Sequence, residues 1–377
     1  MDSKLGPKLL VLRFFADATG QGLIGRSRVR FRLAAFFSLA AVICSASIAR
    51  ADEGGVSFWI PGLFGSLAAA PQVPGWALAT INYYTAVSGG GTLAASRQIT
   101  INKFNATVNV NLNANLKANP DIFLAVPSYV FATPVFGGQF AVSMAAVAGR
   151  NIATINGTLT ATAGGLSATR QGTLEDARDG FGDLYPQASL RWNSGANNWM
   201  TYVMGDIPVG TYSSTNLANL GIGHGAIDSG VGYTYFNPKA GHEFSAVTGI
   251  TYNFVNPSTG YQNGIDWHLD WGASQFLTKQ LQVGLVGYVY KQLTADRGGL
   301  PLLGSFESQV AGIGPQVGYI FPVGKMQGYL NLKGYGEFDG DNRPHGWNTW
   351  LTFVLSPAPP SAEPSPPAML TKAPPRG

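Results

Sequence analysis

From Phe104 to Leu116 the chain alternates without a break between apolar and polar side chains. Phe104, Ala106, Val108, Val110, Leu112, Ala114 and Leu116 occupy the even positions. Asn105, Thr107, Asn109, Asn111, Asn113 and Asn115 lie between them. A period of two over this length defines a β-strand with one greasy face and one polar face. Two folds can use such a strand. A soluble sandwich would bury the apolar face in a core, whereas a closed barrel in a bilayer turns it to lipid and leaves the amides facing a wet lumen. The run is long enough to span, which takes roughly 9–11 residues.

The pattern recurs down the chain. Trp76–Val87, Ile122–Phe131, Gln139–Ala148, Gly182–Trp192, Asn198–Met204, Ile227–Phe236, Phe244–Phe254, Gly264–Phe276, Leu281–Lys291, Phe306–Ile320, Met326–Phe338 and Trp347–Leu355 all read as strands. In Gly182–Trp192, Asp183, Tyr185, Gln187, Ser189 and Arg191 share one face. In Met326–Phe338, Gln327, Asn331, Lys333 and Glu337 share a face with Tyr329 and Tyr335, opposite Leu330, Leu332 and Phe338. Asn151–Gly172, rich in Thr, Ala and Gly, fits either a hairpin or a long external loop. Glu175, Asp176, Arg178 and Asp179 read as a solvated, charged loop. The expected fold is all-β: a transmembrane antiparallel barrel of about 12 strands, 14 being the next even number.

Composition favours the bilayer. Only 12% of the residues are charged, against about 25% in ordinary soluble domains. A soluble sandwich would also use shorter strands, near 5–6 residues. The basic residues crowd at the start: residues 1–51 hold eight Lys/Arg and two Asp/Glu, leaving 16 basic and 18 acidic residues after them. No basic patch therefore argues for nucleic acid. Arg26, Arg28, Arg30 and Arg32 precede an apolar run from Leu33 to Ala49, and Ala49-Arg50-Ala51 gives the small-x-small pattern of a cleavage site near Ala51, which would leave Asp52 as the mature N-terminus. Residues 1–51 read as a secretory signal with an extended basic region. The sole cysteine, Cys44, lies within it, so the mature chain would carry no disulfide.

Residues 52–75 are punctuated by Pro61, Gly62, Pro71 and Pro74. They form either a plug folded into the lumen or a lead-in to the first strand. Residues 76–355 form the barrel, and 356–377 a Pro-rich tail too poor in apolar residues to fold.

Particular motifs carry a resemblance. They are Gly62-Leu63-Phe64-Gly65-Ser66-Leu67-Ala68-Ala69, Pro127-Ser128-Tyr129, Gly182-Asp183-Leu184-Tyr185-Pro186-Gln187, Gly205-Asp206-Ile207-Pro208-Val209-Gly210 and Asn216-Leu217-Ala218-Asn219-Leu220-Gly221. Further on come Ala226-Ile227-Asp228, Gly232-Tyr233-Thr234-Tyr235, Asn263 through Trp271, and Gly314-Pro315-Gln316-Val317-Gly318-Tyr319. With these the chain resembles the phenol meta-pathway degradation proteins, or SphA-type outer-membrane proteins, which are distantly similar to long-chain fatty-acid transporters. The resemblance implies a bacterial outer-membrane barrel tied to uptake of hydrophobic or aromatic compounds. Its partners would be outer-membrane lipid, such a small molecule, and the barrel assembly machinery.

Asp266, His268 and Asp270 stand at alternate positions and project from one wall into the lumen. Residues two apart on a strand point in parallel and rarely converge at the roughly 2.0–2.2 Å that a metal requires. Lumen polarity satisfied by cross-strand partners is the expected role, with ligand orientation or proton sensing by His268 as the alternative. Asp183 with Arg191, and Lys333 with Glu337, would form further lumen networks. No Gly-x-Ser-x-Gly elbow and no His-Glu-x-x-His motif is present. No cofactor or catalytic residue is expected. The sequence reads as a channel for hydrophobic or aromatic solutes, lined by Asp183, Arg191, Asp266, His268, Asp270, Lys333 and Glu337. The alternatives are a hydrolase with a site assembled across strands, or a structural or adhesive envelope protein.

Overall fold

A computed structural model describes residues 57–101, 104–163, 166–298 and 307–359. The basic leader with Cys44 and the tail beyond residue 359 lie outside these. Thirteen strands follow one another: β1 (Gly75–Ile101), β2 (Phe104–Ala118), β3 (Asp121–Val130), β4 (Gln139–Ala163), β5 (Leu166–Ser194), β6 (Asn197–Gly205), β7 (Ala226–Asn237), β8 (His242–Asn253), β9 (Asp266–Phe276), β10 (Leu281–Gln292), β11 (Gln309–Val323), β12 (Met326–Asp341) and β13 (His345–Pro357).

Every pairing is antiparallel, and the sheet closes where Leu78–Ser88 of β1 meets Leu355–His345 of β13. The thirteen strands make twelve staves. β2 and β3 both run between β1 and β4, end to end, and are parted only at Asn119-Pro120. Pro120 has no N–H to give the ladder. Its neighbours keep the rest: Asn119 N–H donates to Ile152 O at 2.9 Å and Thr85 N–H to Pro120 O at 3.1 Å. The twelve-stave count is the one expected of an even-stranded bacterial barrel.

The alternation sorts the two faces. On β8, Phe244, Ile250 and Tyr252 are exposed while Glu243, Ser245, Thr251 and Asn253 are buried. The exposed apolar side chains form the lipid-facing wall. Aromatic pairs stand at both its ends: Trp76 with Tyr129 near the chain-start end, and Tyr84 with Trp347 near the other. Amphipathic rings favour those interfaces. Two-residue turns, such as Gly195-Ala196, join strands at the end where β1 begins. Long links, such as residues 206–225, lie at the opposite end. Short turns on one side and long loops on the other define the periplasmic and external ends of an outer-membrane barrel.

Part of the sheet rises past the external rim. Above Ser88, β1 pairs with β2 alone. β4 and β5 have 25 and 29 residues, against 9 in β6, which is enough to span. This collar corrects two expectations. The Asn-rich run Phe104–Leu116 belongs to the collar and not to the lipid-embedded wall. Glu175, Asp176, Arg178 and Asp179 lie within β5, paired with β4, and not in a loop. Strands outside the bilayer need no apolar outer face, so charge does not interrupt them. Asn151–Gly172 takes the hairpin form.

Candidate functional site

Residues 57–74 carry no strand or helix, yet they are held inside the barrel by side chains from several staves. The turn Gly62–Phe64 sits between Asp270 of β9 and Lys333 of β12. The Asp270 carboxylate accepts the N–H groups of Gly62 and Phe64, both at 3.0 Å. The Lys333 ammonium donates to the carbonyls of the same two residues, at 2.7 and 3.4 Å. Further along, Leu67 N–H donates to Glu243 at 2.9 Å, and Ala69 N–H to Thr234 at 3.0 Å. The Ser66 hydroxyl pairs with Ser274 at 2.8 Å and accepts from Gln316 at 2.6 Å. Arg191 reaches Ala68 O at 3.5 Å. The polar inner faces of β5, β7, β8, β9, β11 and β12 thus satisfy the backbone of a segment that has no ladder of its own, as buried amides require.

Two backbone positions in this segment are unusual. Gly62 has φ +89°, and a Cβ there would meet the Tyr335 ring at 3.1 Å. Leu67 has φ +64°, a conformation that side chains avoid, and its N–H is the one that Glu243 holds.

The rings of the segment enter an apolar cluster. Phe58, Trp59, Ile60, Leu63 and Phe64 pack with Tyr185, Tyr202, Met200, Val247, Val286, Tyr288, Tyr335 and Trp350 from the wall. A wet, polar lumen is the expectation from the sequence; the interior is instead aromatic and apolar at this level. Period two reports that a face is turned from lipid, not that it is turned to water.

The seven sequence-selected residues do not converge on one site. Asp266, His268 and Asp270 share the inner face of β9, all buried, but each has different partners. Asp266 accepts from Asn253 at 2.8 Å. His268 Nε2 lies 3.1 Å from Asp228, and both side chains are fully buried. Asp270 binds the N-terminal segment instead of a cross-strand partner. Asp183 and Arg191 do not pair. Asp183 accepts from Gly210 N–H at 2.7 Å and Ile222 N–H at 2.8 Å, and so ties down the 206–225 loop. Arg191 donates to Ser189. Glu337 accepts from Tyr288 at 2.7 Å and from Gly346 N–H at 2.7 Å, apart from Lys333.

Four residues of weight escaped the sequence reading. Asp228 of β7 gathers Tyr202 at 2.6 Å, Thr251 at 2.7 Å and His268. No hydroxyl or thiol in this cluster is poised as a nucleophile, because Tyr202 and Thr251 both donate to the carboxylate. Trp59 stacks on His268 with centroids 3.4 Å apart and 12° between planes. Glu243 and Tyr202 complete the set. At the external end, Asp206 follows β6 with neither carboxylate oxygen hydrogen-bonded among the described residues. Burial, and then the charge of Asp183, push its carboxyl up to about 8.

A closed twelve-stave barrel with a lipid-facing apolar wall, and an N-terminal segment clamped in its lumen, defines a transmembrane β-barrel of the bacterial outer membrane. The family described as "Putative MetA-pathway of phenol degradation" matches residues 107–353, and the chain belongs to it. Among solved structures it is similar to the COG4313 outer membrane channel from Pseudomonas putida F1, at 12% identity and TM-score 0.47, covering 76% of this chain and 97% of that one. It is also similar to a Pseudomonas aeruginosa FadL homologue, at 10% identity and TM-score 0.36, covering 82% and 97%. OccAB4 of Acinetobacter baumannii matches at 8% identity and TM-score 0.27, covering 75% and 98%. Among curated proteins, no sequence matches.

Proposed function

We propose that the protein is an outer-membrane channel for the uptake of hydrophobic, aromatic small molecules, with residues 57–74 as its plug. One observation carries this reading: a segment rich in rings is inserted into an aromatic luminal cluster, yet it is anchored by polar clamps on the wall. An apolar solute can compete for the ring contacts, and the clamps return the segment afterwards. Membership of a family described by phenol degradation supports an aromatic solute. In this reading Asp270 and Lys333 hold the plug, and Arg191 assists at Ala68. Asp183 secures the external loop. Asp266, His268 and Glu337 shape the wall of the path.

The test is uptake of naphthalene by cells with and without the gene. Faster uptake with the gene supports the channel, and equal rates overturn it.

A further inference from the structure

The stacked pair Trp59 and His268 joins two parts of the molecule with different attachments. His268 belongs to the wall. Its Nε2 is engaged by Asp228 at 3.1 Å and lies 3.2 Å from the Tyr202 hydroxyl, and Asp228 is itself fixed by Tyr202 and Thr251. The imidazole is therefore held as a flat, immobile floor. Trp59 belongs to the N-terminal segment. It is fully buried, and its indole Nε1–H has no acceptor among the described residues. Buried indole N–H groups usually find a partner. The slot over His268 thus accepts the shape of a planar ring and gives the indole N–H no acceptor among the described residues. Phe64 and Tyr202 flank the indole at centroid distances of 5.8 and 6.4 Å.

Among the described residues the Trp59 side chain makes no hydrogen bond, so moving the ring out of the slot breaks no side-chain bond, while the Trp59 carbonyl accepts from the Ser57 hydroxyl at 2.7 Å. The segment is clamped at Ser57, where Arg343 donates to the hydroxyl at 3.1 Å, and at Gly62, Phe64, Leu67 and Ala69, and none of these bonds is made to the indole ring. From this we infer that the slot over His268 is a binding site for a planar aromatic hydrocarbon, and that Trp59 is its resident occupant, displaced when such a ring arrives. The inference rests on the channel reading and gives it a substrate class: flat, unsaturated rings without a hydrogen-bond donor on the edge. A ring lacking that donor removes the unsatisfied group that indole brings. A saturated bicycle of the same carbon skeleton is too thick to stack.

The experiment measures binding of tritiated naphthalene to the full-length protein in lipid nanodiscs, with empty nanodiscs subtracted. Saturable binding at one ring per barrel is expected. Decalin, though more hydrophobic, competes at least about fivefold more weakly, because stacking and not area alone selects the ring. Trp59→Ala removes the competitor and tightens naphthalene binding about tenfold, since apparent affinity falls with the fraction of sites already filled. Adding His268→Ala to that variant abolishes the gain. If Trp59→Ala yields no heat-modifiable barrel on a gel, Trp59→Leu takes its place with the same sign. No saturable binding, no tightening on removing Trp59, or equal competition by decalin would each overturn the slot. Gene-dependent uptake of naphthalene without saturable binding would remove the slot and leave the channel. Saturable binding without gene-dependent uptake would do the reverse.

Discussion

Asp270 and Lys333 grip one turn by its opposite polarities. The carboxylate takes the N–H groups of Gly62 and Phe64, while the ammonium takes the carbonyls of the same residues. The two charges come from β9 and β12 and meet through the backbone of the segment between them. Lys333 also lies 5.1 Å from the Trp350 ring centroid, a cation–π contact on its far side.

Asp270→Asn is expected to loosen this grip. An amide oxygen can accept but carries no charge, and its NH2 cannot accept the second backbone N–H. Bonds to charged groups contribute roughly 1.5–3 kcal/mol each, so docking of the segment weakens by about 2 kcal/mol or more. Limited proteolysis within residues 57–74 reads this as faster cleavage, with the barrel intact. Lys333→Met gives the same sign. The double variant costs less than the two single effects combined, because both act on one turn.

Gly62→Ala acts at the same place through the backbone alone. The left-handed conformation costs a residue with a Cβ roughly 1–2 kcal/mol, and the methyl meets the Tyr335 ring at 3.1 Å. Segment cleavage again accelerates, while thermal unfolding of the barrel is unchanged. A matched loss of barrel stability would show that Gly62 serves the wall and not the docking of the segment.

Asp228→Asn has the opposite signature. Tyr202, Thr251 and His268 all lean on this carboxylate, and an amide cannot accept from all three. One buried donor is stranded, at a cost of roughly 1–3 kcal/mol. The barrel's own unfolding midpoint should fall, read by urea titration in detergent.

Asp206 gives the external loop a pH response. Burial, and then the charge of Asp183, push its carboxyl from an ordinary 3.8 up to about 8. A folded value above the unfolded one favours the protonated form, so loop docking is strongest at low pH. It weakens as pH rises from about 4 through about 8. Hydrogen exchange at Gly210 and Ile222, corrected for intrinsic rates, should show protection falling over that window. Asp206→Asn should flatten the profile; an unchanged profile would move the titration to another group.

Strands were legible where lipid and lumen impose opposite demands on successive residues. β8, β9 and β12 showed their faces in the sequence for that reason. Above the rim that contrast vanishes. The Thr-, Ala- and Gly-rich stretch after Asn151 and the charges from Glu175 to Asp179 therefore concealed two long strands. The cleanest alternation of all, Phe104–Leu116, was read correctly as a strand but lies in the collar. Asp270 and Lys333 were visible as inward charges. Their partner was not, because nothing local in Gly62–Phe64 announces that its amides meet side chains some two hundred residues away. Asp228 was hidden for the same reason: Tyr202, Thr251 and His268 come from three other strands, and a lone aspartate beside Ile227 shows none of them.

The collar makes the mouth lopsided. β1, β2, β4 and β5 raise a tall palisade along one arc, while β13 stops at Ser88's level and β12 runs only a few residues further, to Asp341. A solute drifting across the cell surface is screened on the first side. On the second it meets only interstrand loops, so the described portion of the barrel has a front and a back.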